Sequence, residues 1–581
     1  MADVYAPGGP VPHIPDDLTV AQFILDVEHT ARPDDQGRPC LIENDTGRPV
    51  GFQELRARTD GLARALRSRW NIGEDDVVCI FGPNHVDYPV AVWAVHRLGA
   101  TVTAANPSYT AEELEYQLDA TNSRLLIAHP WNLPAAISAA RSAGLSTDRI
   151  ILFDMECEGS SSTELAGHTT IQELVTEGHS SMQIFIERLF RPGEARHKLA
   201  FLSFSSGTTG RPKAVCITHY AVIASIVQLA QLANSQTQRL EDRKIRPGDL
   251  WVAFTPFYHI YGLTALMHFA LWYRETLVVI PKFDFVGMLK SISRYRINVL
   301  PVVPPVVVLL CKHPAVQNYD LSSVRLVTSG AAPLSAELIH QLSAILPSTS
   351  IGQGYGMTEA VGSVCFPQVE QKIGTPGSAG RLVPGMIARV LKPDGTVAKA
   401  GEVGELLLKG PCVAERYLNN EEATRETFKD GWLYTGDVVT INEHAEVFIL
   451  DRIKEMLKVR GFQVAPAELE GHLLDHPDVS DVCVVGLPDD YNGELPLAFV
   501  VLSADAQHRV SRAPVEANKV RAALEKHVSD TKVRYKWLAG LEFVDSIPKN
   551  PSGKLLRRVL RDRAKELQAS GKLSMKIRGK L

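Results

Sequence analysis

Two patterns of apolar and polar positions alternate along most of the chain. Short apolar runs such as VVCIFGPN (77–84) predict buried strands that end at turns. Longer stretches between them, such as DYPVAVWAVHRLGA with its stop at Gly99, predict helices. Strands that alternate with helices are typical of an α/β fold with a largely parallel sheet. Because such sheets bind ligands at the carboxyl ends of their strands, the loops that follow the strands are the first candidates for a functional site.

The pattern changes after about residue 450. APAELEGHLLDHP predicts a helix, DVCVVGLP and LPLAFVVL predict strands, and VEANKVRAALEKHV and LLRRVLRDRAKEL predict two more helices. These elements fit a small α+β domain of about 130 residues. We therefore expect a large N-terminal domain of layered sheets and helices, residues 1–450, joined by a hinge to a small mobile domain, residues 451–581. The run INVLPVVPPVVVLL, with its three prolines, predicts a buried strand and a turn.

Composition and charge argue against several classes of protein. The 581 residues are 45% hydrophobic and 22% charged, which is typical of a globular protein, and the net charge of −5 argues against a general nucleic-acid surface. No window approaches about 18 uncharged apolar residues, so we expect no membrane span. Eight scattered cysteines without a CxxC pair, and an N-terminus unlike a signal peptide, favour the cytoplasm. The final Gly-Lys-Leu loosely resembles a peroxisomal signal, so the peroxisome is the alternative.

The segment FSSGTTGRPKAV combines serine, threonine, glycine and lysine directly after the apolar run LAFLSF. Its glycines permit positive φ, so backbone N–H groups and hydroxyls can surround a phosphate while the lysine adds a charge. It is not a Walker A loop, because Pro212 stands where that motif has glycine. A flexible turn is the alternative interpretation of this loop in isolation. The candidate phosphate ligands are Ser205, Ser206, Gly207, Thr208, Thr209 and Lys213.

Further motifs follow this loop in order: YGMTE (355–359), GELLLKG (404–410), YTGD (434–437), DRIKEMLKVRGFQVAPAELE (451–470) and PKNPSGK (548–554). Each motif alone fits an ordinary loop or turn. Together they resemble the adenylate-forming family, which includes acyl-CoA synthetases, aryl-CoA ligases, firefly luciferase and peptide-synthetase adenylation domains. The resemblance extends from about residue 20 to Arg558, and FYHIYG and RGFQVAPAELE are most similar to 4-coumarate–CoA ligases.

This resemblance implies an ATP-dependent acid–CoA ligase. In such enzymes a carboxylate attacks the α-phosphorus of ATP to give an acyl-adenylate and pyrophosphate, and the thiol of coenzyme A then displaces AMP. The implied cofactors are ATP, Mg²⁺ and coenzyme A. The implied partners are small molecules only, with no nucleic acid, and the chain is expected to be a monomer or weak homodimer. The acid is expected to be an aryl acid, similar to cinnamate, benzoate or phenylacetate, or a medium-chain acid.

The resemblance also implies roles in adenylation for individual residues. Lys554 would bridge carboxylate and phosphate oxygens, Glu359 would bind Mg²⁺, and Thr358 would contact the α-phosphate. Asp437 would accept hydrogen bonds from the ribose hydroxyls, with Arg452 at the ribose or a phosphate. Around them, the implied adenine wall, acyl pocket and pocket floor comprise Gln353, Gly354, Tyr355, Tyr258, His259, Tyr261, Ser329, Gly330, Ala331, Gly356, Val361 and Gly362. Of these, His259 would orient the carboxylate and gate the coenzyme A tunnel.

For thioester formation the small domain is expected to rotate about residues 451–454. That rotation would present a coenzyme A face made of Lys454, Lys458, Arg460, Gly461 and Gln463, together with Lys282. Two departures from the family pattern matter. Arg460 stands where lysine is common, and an arginine differs from a lysine in hydrogen-bonding geometry. Val361 and Gly362 stand where plant coumarate ligases usually have glycine and proline, which puts coumarate itself in doubt.

Three other interpretations stay open. A luciferase-like oxygenase would use the same adenylate. An adenylation enzyme could instead load a carrier protein, which would act in trans because the sequence ends at Leu581. A catalytically dead binding protein should have lost Glu359, Asp437 or Lys554, and all three are present.

Overall fold

The computed structural model describes residues 3–7, 9, 11–154, 167–181, 185–205, 212–236, 239–460, 462–489, 492–550, 553–571 and 573. Several predictions fall outside these residues. They concern the phosphate ligands Ser206, Gly207, Thr208 and Thr209, the coenzyme A residue Gly461, and the C-terminal Gly-Lys-Leu.

Two mainly parallel sheets form the centre of the large domain, as the alternation of strands and helices predicts. Within the described residues, one sheet has the order Arg416–Tyr417, Lys213–Thr218, Leu199–Ser205, Thr101–Ala105, Val77–Phe81, Ser123–Ala128, Ile150–Leu152 and Thr169–Thr170. The other has the order Ser350–Gln353, Leu326–Ser329, Val299–Val302, Leu250–Ala253, Thr276–Val279, Leu41–Glu43 and Pro49–Val50. Phe204 and Ser205, which begin the motif FSSGTTG, and the loop FYHIYG lie at the carboxyl ends of strands of these two sheets.

Two antiparallel sheets complete the large domain. The described part of one contains Val4–Tyr5, Ile387–Leu391, Gly404–Lys409, Trp432–Ile441, Phe428–Lys429 and Val447–Arg452. The other is small and contains Tyr355–Met357, Gly362–Phe366 and Arg381–Leu382. These sheets bring the YGMTE and YTGD motifs, about 80 residues apart in sequence, to the same edge of the domain.

Helices cover the sheets of the large domain. The α-helices are Val20–Leu25, Phe52–Trp70, Tyr88–Arg97, Ala111–Thr121, Leu133–Ser142, Ile171–Ser180, His219–Asn234, Phe285–Tyr295, Pro304–Lys312, Ala336–Ile345 and Glu421–Thr427, and Gly262–Ala270 is a π-helix. The predicted turn in INVLPVVPPVVVLL is wrong: after the strand Val299–Val302 the chain forms the helix Pro304–Lys312. Prolines are tolerated in the first helical turn, where the missing N–H has no partner inside the helix.

The C-terminal part folds around its own apolar core. Its described strands Phe462–Val464, Leu457–Val459, Gly493–Leu502, Val479–Asp489 and Gly540–Phe543 form one sheet, and its α-helices are Pro466–Leu474, Ala504–Arg512, Pro514–Thr531 and Arg557–Ala569. Two hydrophobic clusters consist entirely of residues after Glu455. These elements confirm the predicted fold class, a large α/β part followed by a small α+β part. The boundary at Asp451 stays a prediction.

Three contacts position the small part against the large one. Lys312 Nζ donates a hydrogen bond to the backbone oxygen of Val479 at 2.9 Å. Ser335 Oγ donates to a carboxylate oxygen of Asp475 at 3.3 Å. The Gly553 backbone lies against Val303, so that a Cβ at position 553 would come within 3.2 Å of that side chain. Together the contacts hold the turn that precedes Lys554 over the large domain.

No helix in the described part of the chain is both long and apolar enough to cross a membrane.

Three buried histidines lie together between the first parallel sheet and its helices. The rings of His96 and His219 are 4.8 Å apart, and His268 accepts a hydrogen bond from the Trp93 indole N–H at 3.3 Å. Burial lowers the pKa of His96 to about 3 and that of His268 to about 4, and it places the pKa of His219 well below its ordinary value. All three rings are therefore neutral in the folded protein at pH 7.

These histidines predict loss of stability under mild acid. Unfolding returns each pKa to about 6.5, so the unfolded chain binds more protons as the pH falls below 6.5. Each ring then costs about 1 kcal/mol of stability between pH 7 and 5.5, and the three together cost about 3–4 kcal/mol. Urea unfolding of the full chain at these two pH values measures the loss. His268→Gln should remove the share of one ring, and a urea midpoint that does not change between pH 7 and 5.5 would contradict the prediction.

Candidate active site

A deep cavity opens between the two parallel sheets and the small antiparallel sheet. It encloses about 880 Å³, including space open to solvent. Predicted pocket residues that line it are His259, Tyr261, Ser329, Gly330, Ala331, Gly354, Tyr355, Gly356 and Gly362. They come from four separate segments of the sequence, and the fold brings them together. Burial leaves the Ser329 hydroxyl without a hydrogen-bond partner among the described atoms, so a ligand's polar group can pair with it.

His259 lies in the cavity wall as a neutral ring. Burial, and then the charge of Lys554, lower the pKa of His259 to about 4. Its Nδ1 accepts the backbone N–H of Tyr261 at 3.3 Å, so the proton of the neutral ring is on Nε2. At pH 7 this side chain is therefore a hydrogen-bond donor rather than a base that has taken up a proton.

Tyr261 and two glycines shape the cavity near His259. The Tyr261 ring lies 3.5 Å from where a Cβ on Gly330 would stand, and its hydroxyl donates to the backbone oxygen of Thr328 at 3.4 Å. Burial raises the pKa of Tyr261 to about 12, so the hydroxyl keeps its proton. Gly356 packs so closely on the neighbouring strand that a Cβ would lie 2.1 Å from the backbone oxygen of Gly362. A larger side chain at position 356 would therefore push the two strands apart.

Asp437 is a buried carboxylate held by two partners. It is 3% exposed and lies opposite Arg452 in the antiparallel ladder, where Arg452 Nε is 3.1 Å from its Oδ1. The Tyr355 hydroxyl donates to Oδ2 at 2.5 Å. Burial raises the pKa of Asp437, and the charge of Arg452 opposes that rise. Burial, and then the charge of Asp437, raise the pKa of Tyr355 well above its ordinary value.

Glu359 is a second buried carboxylate on the same edge. It lies in the 3₁₀ turn Thr358–Ala360, is 8% exposed, and accepts two hydrogen bonds on Oε1. Ser205 Oγ donates one at 3.0 Å and the Tyr417 hydroxyl donates the other at 2.8 Å. Lys213 Nζ lies 5.2 Å from the centroid of the Tyr417 ring. Ser205, at one end of the phosphate-loop segment, thus contacts Glu359 of the YGMTE motif directly. Lys213, at the other end, lies beside Tyr417, which contacts the same glutamate.

Lys554 reaches this edge from the small domain. Asn550 shapes its turn, because the Asn550 side chain accepts the backbone N–H of Lys554 at 2.8 Å. Burial, and then the charge of Arg452, lower the pKa of Lys554, whereas Glu455, Asp437 and Glu359 act to raise it. The Lys554 ammonium is therefore within electrostatic range of both buried carboxylates. It is also within range of His259, whose pKa it lowers.

Other predicted residues lie beside the cavity rather than in its wall. The Gln353 side chain accepts the backbone N–H of Leu334, and Thr358 begins the turn that carries Glu359. Tyr258 and Val361 are not among the described residues that line the cavity. Val361 adopts φ 50° and buries its side chain in the core, so Gly362 and Ser363 form the wall at this point.

The predicted coenzyme A residues lie apart from the cavity. Lys282, Lys454, Lys458, Arg460 and Gln463 all have exposed side chains. Arg460 adopts φ 52°, and its Nε donates to the Asn492 side chain at 2.5 Å. The structure therefore brings together the residues predicted for adenylation and leaves those predicted for coenzyme A on the surface.

The sequence gives no signal for several residues of the site. Tyr417, which binds Glu359, lies in the unremarkable segment ERYLNN. The inner cavity wall includes Leu229, Leu232, Trp251 and Phe269. Apolar side chains at these positions indicate only a buried core, because periodicity cannot distinguish a core residue from the wall of a cavity.

Comparison with known proteins assigns the family. A model of AMP-binding enzymes matches residues 27–418, and a model of the AMP-binding enzyme C-terminal domain matches residues 468–554. The chain belongs to the AMP-binding enzymes. Among curated members of the same family, 4-coumarate-CoA ligase 1 of Narcissus pseudonarcissus is 33% identical over 557 residues, which are 95% of this chain and 94% of that protein.

Solved structures of AMP-binding enzymes have the same fold. The crystal structure of the anthranilate CoA ligase AuaEII in complex with anthranoyl-AMP superposes with a TM-score of 0.80 and 24% identity, over 96% of this chain and 99% of that one. ATP-bound MatB from Rhodopseudomonas palustris has a TM-score of 0.77 and 25% identity, over 95% and 100% of the two chains. The two-part architecture of this AMP-binding enzyme is thus shared with both.

The Asp437–Arg452 pair predicts a pH-dependent loss of stability when its cation is removed. Arg452→Met should lower the free energy of unfolding by about 2 kcal/mol at pH 7. This loss is smaller than that from breaking a fully buried ion pair, because the Arg452 side chain is 33% exposed. Urea unfolding measures the loss, with Arg425→Met, an exposed arginine, as control. The difference in free energy of unfolding between Arg452→Met and the wild type should become smaller as the pH falls, because protonated Asp437 needs no counter-charge. A difference that is the same at every pH would contradict this interpretation.

Proposed function

We propose that this AMP-binding enzyme is an ATP-dependent acid–CoA ligase that first forms an acyl-adenylate. One observation carries the proposal: Lys554 of the small domain lies within electrostatic range of Glu359, Asp437 and His259 at the cavity mouth. A cation at the junction of an apolar cavity and a polar edge suits a reaction between a carboxylate and a phosphate. Catalysis there needs alignment and charge neutralisation rather than a covalent enzyme intermediate.

Lys554 and His259 would act on the acid. The Lys554 ammonium would attract the carboxylate of the acid and the α-phosphate of ATP, two anions that otherwise repel each other. His259 would donate its Nε2–H to a carboxylate oxygen, since a ring with a pKa of about 4 is neutral at pH 7. This donor fixes the direction of attack while the other carboxylate oxygen reacts with phosphorus.

Asp437, Arg452 and Tyr355 would bind the nucleoside. A carboxylate has about four lone-pair positions, so Asp437 can accept ribose hydroxyls while it keeps its described partners. Tyr355 lines the cavity with Gly354 and would stack on adenine, while Gln353 supports this wall through Leu334. The ATP-bound state of MatB, which shares the fold at 25% identity, supports ATP as the nucleotide.

Glu359 is the residue that would hold Mg²⁺. In the part of the chain that the structure describes, no three His, Cys, Asp or Glu side chains are grouped to hold a metal. A single carboxylate fits Mg²⁺, which typically takes one or two protein oxygens and completes its shell with phosphate and water. Both described hydrogen bonds fall on Oε1, so Oε2 is the oxygen that can bind the ion. The bound ion would neutralise phosphate charge.

Thioester formation would use a second arrangement of the two domains. The exposed Lys454, Lys458, Arg460 and Gln463, with Gly461 and Lys282, would form the coenzyme A face after rotation about residues 451–454. In the structure these side chains are separate from the cavity, which supports the interpretation that the two domains are in the arrangement for adenylation. Rotation would also withdraw Lys554, which clears the path for a thiol.

The acid is proposed to be apolar, and the protein to be a 4-coumarate–CoA ligase-like enzyme in the broad sense. Curated relatives at 33–36% identity carry that name. Val361 and Gly362 stand where the plant enzymes usually have glycine and proline, so coumarate itself is not the proposed substrate. ATP–pyrophosphate exchange across aryl and alkyl acids, repeated with coenzyme A, tests the function. Acid-dependent exchange without a thioester would instead favour a carrier-loading or oxygenase reaction.

Removing Lys554 should separate the two half-reactions. Lys554→Ala is expected to lower acid-dependent ATP–pyrophosphate exchange by about 10²–10³-fold, the usual effect of losing one charge-stabilising group. It should spare conversion of a supplied acyl-adenylate to the CoA thioester, because Lys554 is proposed to leave the site for that step. Lys549→Ala is the matched control, since Lys549 pairs with Asp481 within the small domain. Equal losses in both half-reactions would refute the assignment.

A further inference from the structure

The cavity continues far beyond the site of adenylation. Leu326, Thr328 and Gly330 alternate along one strand and its carboxyl end, and all three line the cavity. Four residues of strand span about 13 Å, so the cavity extends about that far from the polar edge. A helix independently supports an elongated cavity, because Tyr261 and Phe269 in the wall are about two turns, or roughly 10 Å, apart.

The inner end of the cavity is lined by apolar side chains. Leu229 and Leu232 of the helix His219–Asn234 form one side, and Trp251 and Phe269, with ring centroids 6.2 Å apart, form another. Of these four side chains, only that of Trp251 has a polar atom, its indole nitrogen. It is buried away from the cavity space, on the side of the Glu275 carboxyl.

We propose that this cavity selects apolar monocarboxylic acids of about eight to ten carbons, linear or phenyl-terminated, with no polar group at the far end. The inference rests on the proposed ligase function and names its substrate class. An extended chain advances about 1.25 Å per carbon, from the C–C bond length at a tetrahedral angle, so about ten carbons fill 13 Å. The inner apolar residues then act as the specificity determinants that set chain length.

The same wall discriminates against acids with a distal hydroxyl. Leu229, Leu232 and Phe269 offer no hydrogen-bonding side-chain atom, so a phenol that reached them would lose its water without a replacement partner. An apolar pocket rejects an added hydroxyl by up to about a hundredfold. Decanoate should therefore exceed 10-hydroxydecanoate, whose hydroxyl reaches the inner end, in kcat/KM by about tenfold. A second carboxylate at the far end should be rejected more strongly, because a buried charge without a partner is costlier still.

A chain-length series with the full-length enzyme tests the proposal. ATP–pyrophosphate exchange is measured with even-numbered alkanoates from four to sixteen carbons, 10-hydroxydecanoate, 5-phenylpentanoate, benzoate, cinnamate and 4-coumarate. The value of kcat/KM should rise about fourfold for each added methylene up to eight to ten carbons, as apolar surface is buried, and then fall. An optimum at four carbons, or a preference for 4-coumarate over both cinnamate and decanoate, would overturn the proposal.

Two opposite changes at Leu229 locate the end of the cavity. Leu229→Ala enlarges the inner end and should move the optimum about two carbons longer, whereas Leu229→Phe should move it about two carbons shorter. Ile226→Ala is the matched control on the same helix, because Ile226 is equally buried but does not line the cavity, and it should leave the optimum in place. General damage to folding cannot produce shifts in opposite directions.

The outcomes separate this inference from the proposed function. If short benzoates support exchange best and neither Leu229 variant moves the optimum, the substrate class is wrong and the ligase function stands. If no acid supports exchange, both are wrong.

Discussion

Two carboxylates buried at one edge of the large domain govern the arrangement around them. Burial raises the pKa of Asp437, and the charge of Arg452 opposes that rise. Glu359, also buried, accepts hydrogen bonds from Ser205 and Tyr417. Arg452 compensates Asp437 from the neighbouring strand. In the proposed reaction a nucleotide would add further negative charge to the same edge, so adenylation would require another cation there. Lys554 would meet that need from a separate domain, and a cation supplied in this way could also be withdrawn.

A buried ionic network within the small domain makes this withdrawal a rigid movement. Arg557, three residues after Lys554, bonds both Glu455, just beyond the predicted hinge, and Glu470 in the helix Pro466–Leu474. Asp451 accepts the backbone N–H of Ala467 from the same helix. The turn that carries Lys554 is thus tied to the rest of its domain. At the hinge, Arg452 pairs with Asp437 and the Ile453 N–H donates to the backbone oxygen of Gly436. Beyond the hinge, the contacts given above are two hydrogen bonds and an apolar contact, and the buried apolar clusters of the small domain are its own.

Sequence reasoning recovered what depends on local pattern and missed what depends on packing between distant segments. The strands before the phosphate loop and before FYHIYG, and three helices and two strands of the small domain, follow from apolar runs and periodicity. The short strands Leu457–Val459, Phe462–Val464 and Gly540–Phe543 and the helix Ala504–Arg512 were not predicted. The helix Pro304–Lys312 was missed because proline reads as a breaker, although it fits a first helical turn. Tyr417 and the inner wall at Leu229 were not predictable, because only the fold brings them to Glu359 and to the cavity.

A reversible disulfide between the domains tests the central claim, that one arrangement serves adenylation and must be left for thioester formation. A Cβ at position 553 would lie 3.4 Å from the Cβ of Val303, close to disulfide spacing. Gly553 has φ 82°, so a cysteine there is strained, but the reduced form of the same Val303→Cys/Gly553→Cys variant carries that strain too. The oxidised variant should retain acid-dependent ATP–pyrophosphate exchange and lose CoA thioester formation until it is reduced. Thioester formation at the same rate in the oxidised and reduced forms would contradict the account.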